Sequence, residues 1–182
     1  MYWEETIELI KEYANEPLAS FPYPFADSDD LDKDPGYEVY EYERGTVKTK
    51  YIPIENFPEK IKKTIERYFK YELYNIQLFC SLGASEGIGV HGDPDNVLIT
   101  CLEGEISYIV EKCHGFTTSD DLYIKNDPVV LKPGDTIFIE EGLKHMGISS
   151  TTPRICLSCG IQEDIPKEEV TYYFGSRYRT KN

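Results

Sequence analysis

Basic charge is scarce in this chain: 19 Lys and Arg stand against 33 Asp and Glu, a formal net charge of −14 over 182 residues. Neutralising nucleic-acid phosphates takes patches of Lys and Arg, so the balance argues against broad nucleic-acid binding. Lys60-Ile61-Lys62-Lys63 and Arg177-Tyr178-Arg179-Thr180-Lys181 are the only concentrations of positive charge, and they read as a solvated helix face and a chain end. No apolar run is long enough to span a bilayer. The acidic start Met1-Tyr2-Trp3-Glu4-Glu5 is unlike a signal peptide, so a cytoplasmic protein with no membrane partner is expected. The five cysteines are an odd number without framework spacing, which argues against a disulfide scaffold and for reduced, mostly buried thiols. Cys156-x-x-Cys159 lacks the second pair a structural zinc site needs, and on a strand its two thiols face opposite sides. Internal repeats and low-complexity tracts are missing as well.

What is present supports a real core: 40% hydrophobic and 13% aromatic residues in a length suited to one substantial domain. Residues 1–72 read as an N-terminal extension. Trp3 to Ala14 and Glu59 to Tyr71 have helical spacing, the second helix facing inward through Ile61, Ile65, Tyr68 and Phe69. Between them, Pro17, Pro22, Pro24 and the acidic stretch 27–34 read as irregular. Tyr37 to Tyr42 alternates apolar with Glu, and Arg44-Gly45 turns it back into Thr46 to Ile54 as a hairpin.

Residues 73–165 read as a series of short strands broken by Gly, Pro and Asp turns. Tyr74 to Cys80, Val97 to Leu102, Ile106 to Val110, Val129 to Leu131, the run around Thr136 to Ile139 and Pro153 to Gly160 are the apolar segments. Such spacing predicts a mainly β barrel or sandwich rather than alternating βα units. Residues 166–182 read as a C-terminal tail.

One constellation inside this β region carries chemistry. His91 and Asp93 are two apart, so an extended backbone points them to the same side, and His145 begins a return strand after the Glu141-Gly142 turn. Two imidazoles and one carboxylate can occupy one face of a metal ion and leave its other positions open, the arrangement of non-haem Fe(II) oxygenases. Neutral imidazoles and a hard carboxylate oxygen suit Fe(II) or Mn(II), while ligand type alone leaves Zn(II) and Cu(II) open.

The surrounding text adds a resemblance. Gly134-x5-Glu140-x-Gly142-x2-His145-x3-Ser149 resembles the second cupin motif, with Glu140 where proline is usual and Ser149 where asparagine is usual. His91-x-Asp93 through Gly104 resembles the first motif in its Jumonji-C-like form. Together, over roughly residues 75–162, they resemble cupin-type 2-oxoglutarate/Fe(II) dioxygenases, bacterial ribosomal-protein hydroxylases among them. The resemblance implies a double-stranded β-helix, or jelly roll, as the core that the helices and hairpin read from the N-terminal extension would flank. It implies His91, Asp93 and His145 as metal ligands, and Fe(II), 2-oxoglutarate and O2 as cofactor and co-substrates. The reaction expected is hydroxylation of an amino acid, a peptide or protein side chain, or a small metabolite, and barrels of this kind leave open a homodimer paired edge to edge.

Arg154, nine positions after His145, matches the arginine that grips the far carboxylate of 2-oxoglutarate in several such families. Its own chemistry agrees, since a guanidinium inside an apolar strand needs a carboxylate or similar partner; the alternative is a solvent-facing arginine. Asn75 and Gln77, with Phe79, are expected on one face of their strand as co-substrate contacts or pocket wall, and Asn96 and Thr100 have a lesser claim to the same role. The departure is at the position about fifteen after His91, where Jumonji-C-like members often carry a basic residue and this chain has Ile106. His114 reads as a surface histidine in a polar loop that could cover a barrel mouth. Two rival readings stay open: a metal-dependent cupin enzyme that does not use 2-oxoglutarate, and a non-catalytic cupin that binds a ligand or partner.

Overall fold

A computed structural model describes residues 4, 46–48, 53–81, 89–111, 126–148 and 153–176. The expected first helix beyond Glu4, the acidic stretch 27–34, the hairpin strand 37–42, Ser149 of the second motif and the loop around His114 lie outside the described residues.

Nine strands and one α-helix are described: β1 (Thr46–Lys48), α1 (Glu59–Ile65), β2 (Leu73–Ser81), β3 (Asn96–Glu103), β4 (Ile106–Val110), β5 (Val129–Leu131), β6 (Thr136–Ile139), β7 (His145–Gly147), β8 (Arg154–Ile161) and β9 (Tyr172–Phe174). They form a six-stranded sheet in the order β1-β2-β8-β3-β6-β9 and a three-stranded sheet in the order β5-β4-β7. Every pairing is antiparallel except β6 with β9. The two sheets close on each other as a jelly roll, the mainly β fold read from the turn spacing. Two details add to that reading. β1 pairs with the end of β2, and the segment taken as a tail contributes β9, the parallel edge strand beside β6.

Strand alternation divides the core in two. Leu98 and Leu102 of β3, Ile155, Leu157, Cys159 and Ile161 of β8, and Ile76, Leu78 and Cys80 of β2 face outward onto α1, where Ile61 and Ile65 meet them. Val97, Ile99 and Cys101 of β3, Cys156 of β8, and Ile137 and Ile139 of β6 face inward, toward Ile106 and Val110 of the smaller sheet. Cys156 and Cys159 thus lie on opposite faces, as their spacing requires. Cys80, Cys101, Cys156 and Cys159 are free and buried.

The helix is shorter than its periodicity suggested. It ends at Ile65 and tightens into a 3-10 turn over Glu66–Tyr68. The tighter turn, with three residues per cycle, keeps Tyr68 in line with Ile61 and Ile65. It also carries Phe69 off the buried face, where it is 39% exposed. Thr100 is a second correction. It lies between Leu98 and Leu102 on the helix-covered face and hydrogen-bonds Thr136 at 3.3 Å, so it is no part of a pocket wall.

Candidate metal centre

His91 and His145 are brought together by their own peptide groups. The His91 N–H donates to the His145 carbonyl at 3.0 Å, and the His145 N–H donates back to His91 at 2.8 Å. This isolated antiparallel bridge sets the two residues directly opposite, with side chains on one side. Their ring centroids are 4.4 Å apart. One residue along, Gly92 passes so close to the Glu141-Gly142 turn that a Cβ would stand 3.0 Å from the Gly142 carbonyl oxygen; glycine permits the approach. The Gly142 N–H then donates to the Asp93 carbonyl at 2.9 Å, continuing the register that puts Asp93 beside the two rings.

Ligand atoms of His91, Asp93 and His145 all lie within 4.8 Å of one another, and His145 Nε2 is 3.3 Å from Asp93 Oδ2. The rings are oriented from behind. His91 Nδ1 is 2.7 Å from the Gly89 carbonyl and His145 Nδ1 is 3.0 Å from the Leu143 carbonyl. Carbonyls only accept, so each Nδ1 carries the proton and each Nε2 is the basic nitrogen, the tautomer that metal-bound histidines take. The three side chains are therefore arranged as a metal would need them. Buried Glu111 accepts the Lys144 N–H at 2.8 Å, and the Asn96 side chain accepts the Glu141 N–H at 2.9 Å. Both stitch the strand ends that carry the histidine and the turn, which gives Asn96 a structural part.

Arg154 is buried, at 5% exposure, and is the only buried cation among the described residues. It precedes Cys156 on the inward face of β8, donating to Ser81 Oγ at 3.4 Å and to the Ile148 carbonyl at 3.2 Å. The solvent-facing alternative is thereby removed. Tyr108, on β4 opposite Gly147, joins it inside the barrel. Burial pushes the Tyr108 phenol up; Cys156, Cys101 and Asp93 add to this, and the Arg154 guanidinium opposes it. Tyr108 thus feels both the arginine and the metal-site carboxylate, and its hydroxyl stays protonated. Sequence reading stopped at Ile106, which is core; the period of two from Ile106 to Val110 was the signal that Tyr108 also turns inward.

On β2 the expected pairing of Asn75 with Gln77 does not hold. The strand bulges between Tyr74 and Gln77 against β8, and Asn75, at φ +50, is the extra residue and is exposed. Asparagine is among the few side chains that accept this left-handed backbone. The bulge restores Tyr74 to the inward face, opposite Gly160 as Gln77 is opposite Ser158. A Cβ on Gly160 would stand 2.6 Å from the Tyr74 ring, so the missing side chain makes the space the ring occupies. Burial pushes the Tyr74 phenol up, assisted by its hydrogen bond to Asp95. Gln77 and Phe79 share the inward face with Cys156 and Arg154.

A family model described as JmjC domain matches residues 50–168. No curated protein matches the sequence. Among solved structures, the chain is similar to the ribosomal oxygenase YcfD of Escherichia coli at 18% identity and a TM-score of 0.46, over 75% of this chain and 37% of that one. It is also similar to a cupin superfamily protein of Desulfitobacterium hafniense at 14% identity and a TM-score of 0.41, over 81% and 97%. A third is the DMSP lyase DddQ of Ruegeria pomeroyi, at 19% identity and a TM-score of 0.38, over 51% and 39%. The chain spans little more than a third of YcfD and of DddQ. Among the described residues no helix is long and apolar enough to cross a membrane.

Proposed function

The chain belongs to the JmjC domain family, and from that premise we propose that it is an Fe(II)- and 2-oxoglutarate-dependent oxygenase that hydroxylates an amino acid, a peptide or protein side chain, or a small metabolite. The observation that carries the reading is the pair of histidines whose Nδ1 atoms each face a backbone carbonyl while their ligand atoms gather with that of Asp93 within 4.8 Å. A surface His-Asp contact needs no such double orientation. Two neutral imidazoles and a carboxylate would hold a divalent ion on one face, and Fe(II) with 2-oxoglutarate supplies the activation of O2 for attack on a C–H bond.

The rest of the chemistry belongs to the chain. Arg154, fixed by Ser81 and Ile148, presents a guanidinium suited to two parallel hydrogen bonds to a carboxylate. Tyr108, kept neutral by burial, donates a further hydrogen bond to the same group. Gln77 adds an amide from the facing strand. The apolar inward residues Ile99, Ile106 and Val110 exclude water around these contacts, which strengthens each of them. Asn75, displaced by the bulge, serves the pocket by turning Tyr74 inward rather than by touching a co-substrate.

Ile106, in place of a basic residue, favours a second reading, a metal-dependent cupin enzyme without 2-oxoglutarate. Anaerobic addition of Fe(II) and then 2-oxoglutarate separates the two. A weak visible charge-transfer band that is lost in His145→Ala, with weakened 2-oxoglutarate binding in Arg154→Ala, supports the first reading. Iron binding without the band supports the second, and failure to bind iron would sink both.

A further inference from the structure

Cys101 of β3 and Cys156 of β8 stand directly opposite each other in the sheet. The Cys101 N–H donates to the Asp135 carbonyl at 3.0 Å, and its own carbonyl accepts from the Gly134 N–H at 2.9 Å. Both partners lie on the β6 side, so the Cys101 peptide groups turn away from β8. The cysteines therefore form a non-hydrogen-bonded pair, the kind in which antiparallel Cα atoms approach to about 4.5 Å and side chains come closest. That separation falls within the roughly 4.4–6.8 Å that a disulfide bridges. Both side chains face into the barrel and are buried, at 0% and 1% exposure. Cys101 Sγ also donates to the carbonyl oxygens of Glu103 at 3.7 Å and Gly104 at 3.5 Å.

The two thiols are unequal. The hydrogen bond from Cys156 holds the Cys101 thiol below its ordinary value, with Arg154 acting in the same sense against burial. The same bond, and then burial, push Cys156 well up. Cys101 is the more readily ionised of the two, and the thiolate is the form that attacks an oxidant. Cys80 and Cys159 provide the contrast. They face α1, stand opposite Ile155 and Leu98 rather than a cysteine, and burial pushes each up to about 12.

We propose that Cys101 and Cys156 form a thiol–disulfide site, closed by a two-electron oxidant small enough to enter the barrel, such as hydrogen peroxide. The Cys101 sulfur attacks one peroxide oxygen and the O–O bond breaks, leaving a sulfenic acid and one water. The Cys156 sulfur then attacks the sulfenic sulfur and releases a second water. Two thiols are oxidised, one peroxide is reduced, and the thiol protons leave in the waters. Cys156 is the next inward residue after Arg154, so the bond forms at the wall of the pocket assigned above to a co-substrate carboxylate. The disulfide itself does not depend on that assignment.

The test is mass-spectrometric thiol mapping of the full folded chain after brief treatment with hydrogen peroxide, with free thiols blocked before digestion. The expected product is a peptide pair joining Cys101 to Cys156, two hydrogens lighter than the reduced peptides and restored by dithiothreitol. Cys80 and Cys159 should react with the blocking reagent only after unfolding, and Cys80→Ser should give the same linkage. In Cys156→Ser, Cys101 should be recovered as the sulfenic acid, trapped when the peroxide-treated protein is unfolded into dimedone. Free thiols at both positions after peroxide, or a linkage through Cys80, Cys113 or Cys159 in place of this one, would overturn the assignment; the wild-type map decides this even where a variant fails to fold.

Discussion

The two faces of the six-stranded sheet are made by the same strands and have opposite characters. Toward α1, β2, β3 and β8 present Leu78, Leu98, Leu102, Ile155, Leu157 and Ile161 in an apolar layer. Toward the barrel, the alternate residues of β2 and β8 are Tyr74, Gln77, Phe79 and Ser81 against Arg154, Cys156, Ser158 and Gly160. A shift of one position along β8 crosses from packing to chemistry. The outer face holds together through many small dispersion contacts, each lost outright where a void opens. The inner one depends on a few polar groups whose orientation is fixed from behind, as with Arg154 on Ser81 and Ile148.

Substitutions on each face should part stability from binding. The largest effect is expected at His145: His145→Ala should abolish Fe(II) binding by calorimetry, exceeding the roughly 10–100-fold that loss of an outer partner costs, while the urea midpoint of the metal-free protein moves less than in Leu157→Ala. Leu157→Ala should do the converse, costing about 2–5 kcal/mol of unfolding free energy while the surviving folded protein binds metal normally. Equal loss of metal affinity in both variants would break the comparison. Arg154→Ala should cost about 1.5–3 kcal/mol of 2-oxoglutarate affinity in competition binding, and Tyr108→Phe less, with metal affinity unchanged in each.

The smallest effect is expected outside both faces, at the exposed pair Lys70–Glu169, 2.7 Å apart. The hydrogen bond from Lys70 holds the Glu169 carboxyl below its ordinary range. A carboxyl lowered in the folded state stabilises above its unfolded value and loses that contribution as pH falls through the lowered one. The Tm difference between wild type and Glu169→Gln should therefore be small at neutral pH, smaller in high salt, and gone in acid. A difference that persists in acid would mean the pair is not its cause.

Much of this was legible in the chain. Apolar runs bounded by Gly, Pro and Asp turns located the β segments, and the H-x-D spacing with a distant histidine pointed to the three side chains that gather at the candidate metal centre, because both are rules about local sequence. Arg154 was legible because a charge in an apolar strand calls for a partner. What was missed depends on register between distant segments. Asn75 looked like a partner of Gln77 because alternation was assumed unbroken, and a bulge is set by the strand opposite. Tyr108 drew no notice because its meaning comes from Arg154 across the barrel. Thr100 was assigned to the wrong face for want of knowing which side of β3 the helix covers. The strand at Tyr172–Phe174 has a short aromatic run as its only local signal, and it is defined by β6.

The bridge between His91 and His145 carries one more consequence. It consists of one reciprocal pair of hydrogen bonds, extended by the Gly142 N–H to the Asp93 carbonyl, so few backbone bonds among the described residues tie the His91 segment to β7. An ion held by both rings and by Asp93 would act as a clasp on that bridge, joining a segment that precedes β3 to the start of β7. Binding energy and local folding energy then become the same quantity. Hydrogen exchange at the His91 and His145 amides would slow in proportion to metal occupancy, which makes those two amides a gauge of affinity that needs neither substrate nor oxygen.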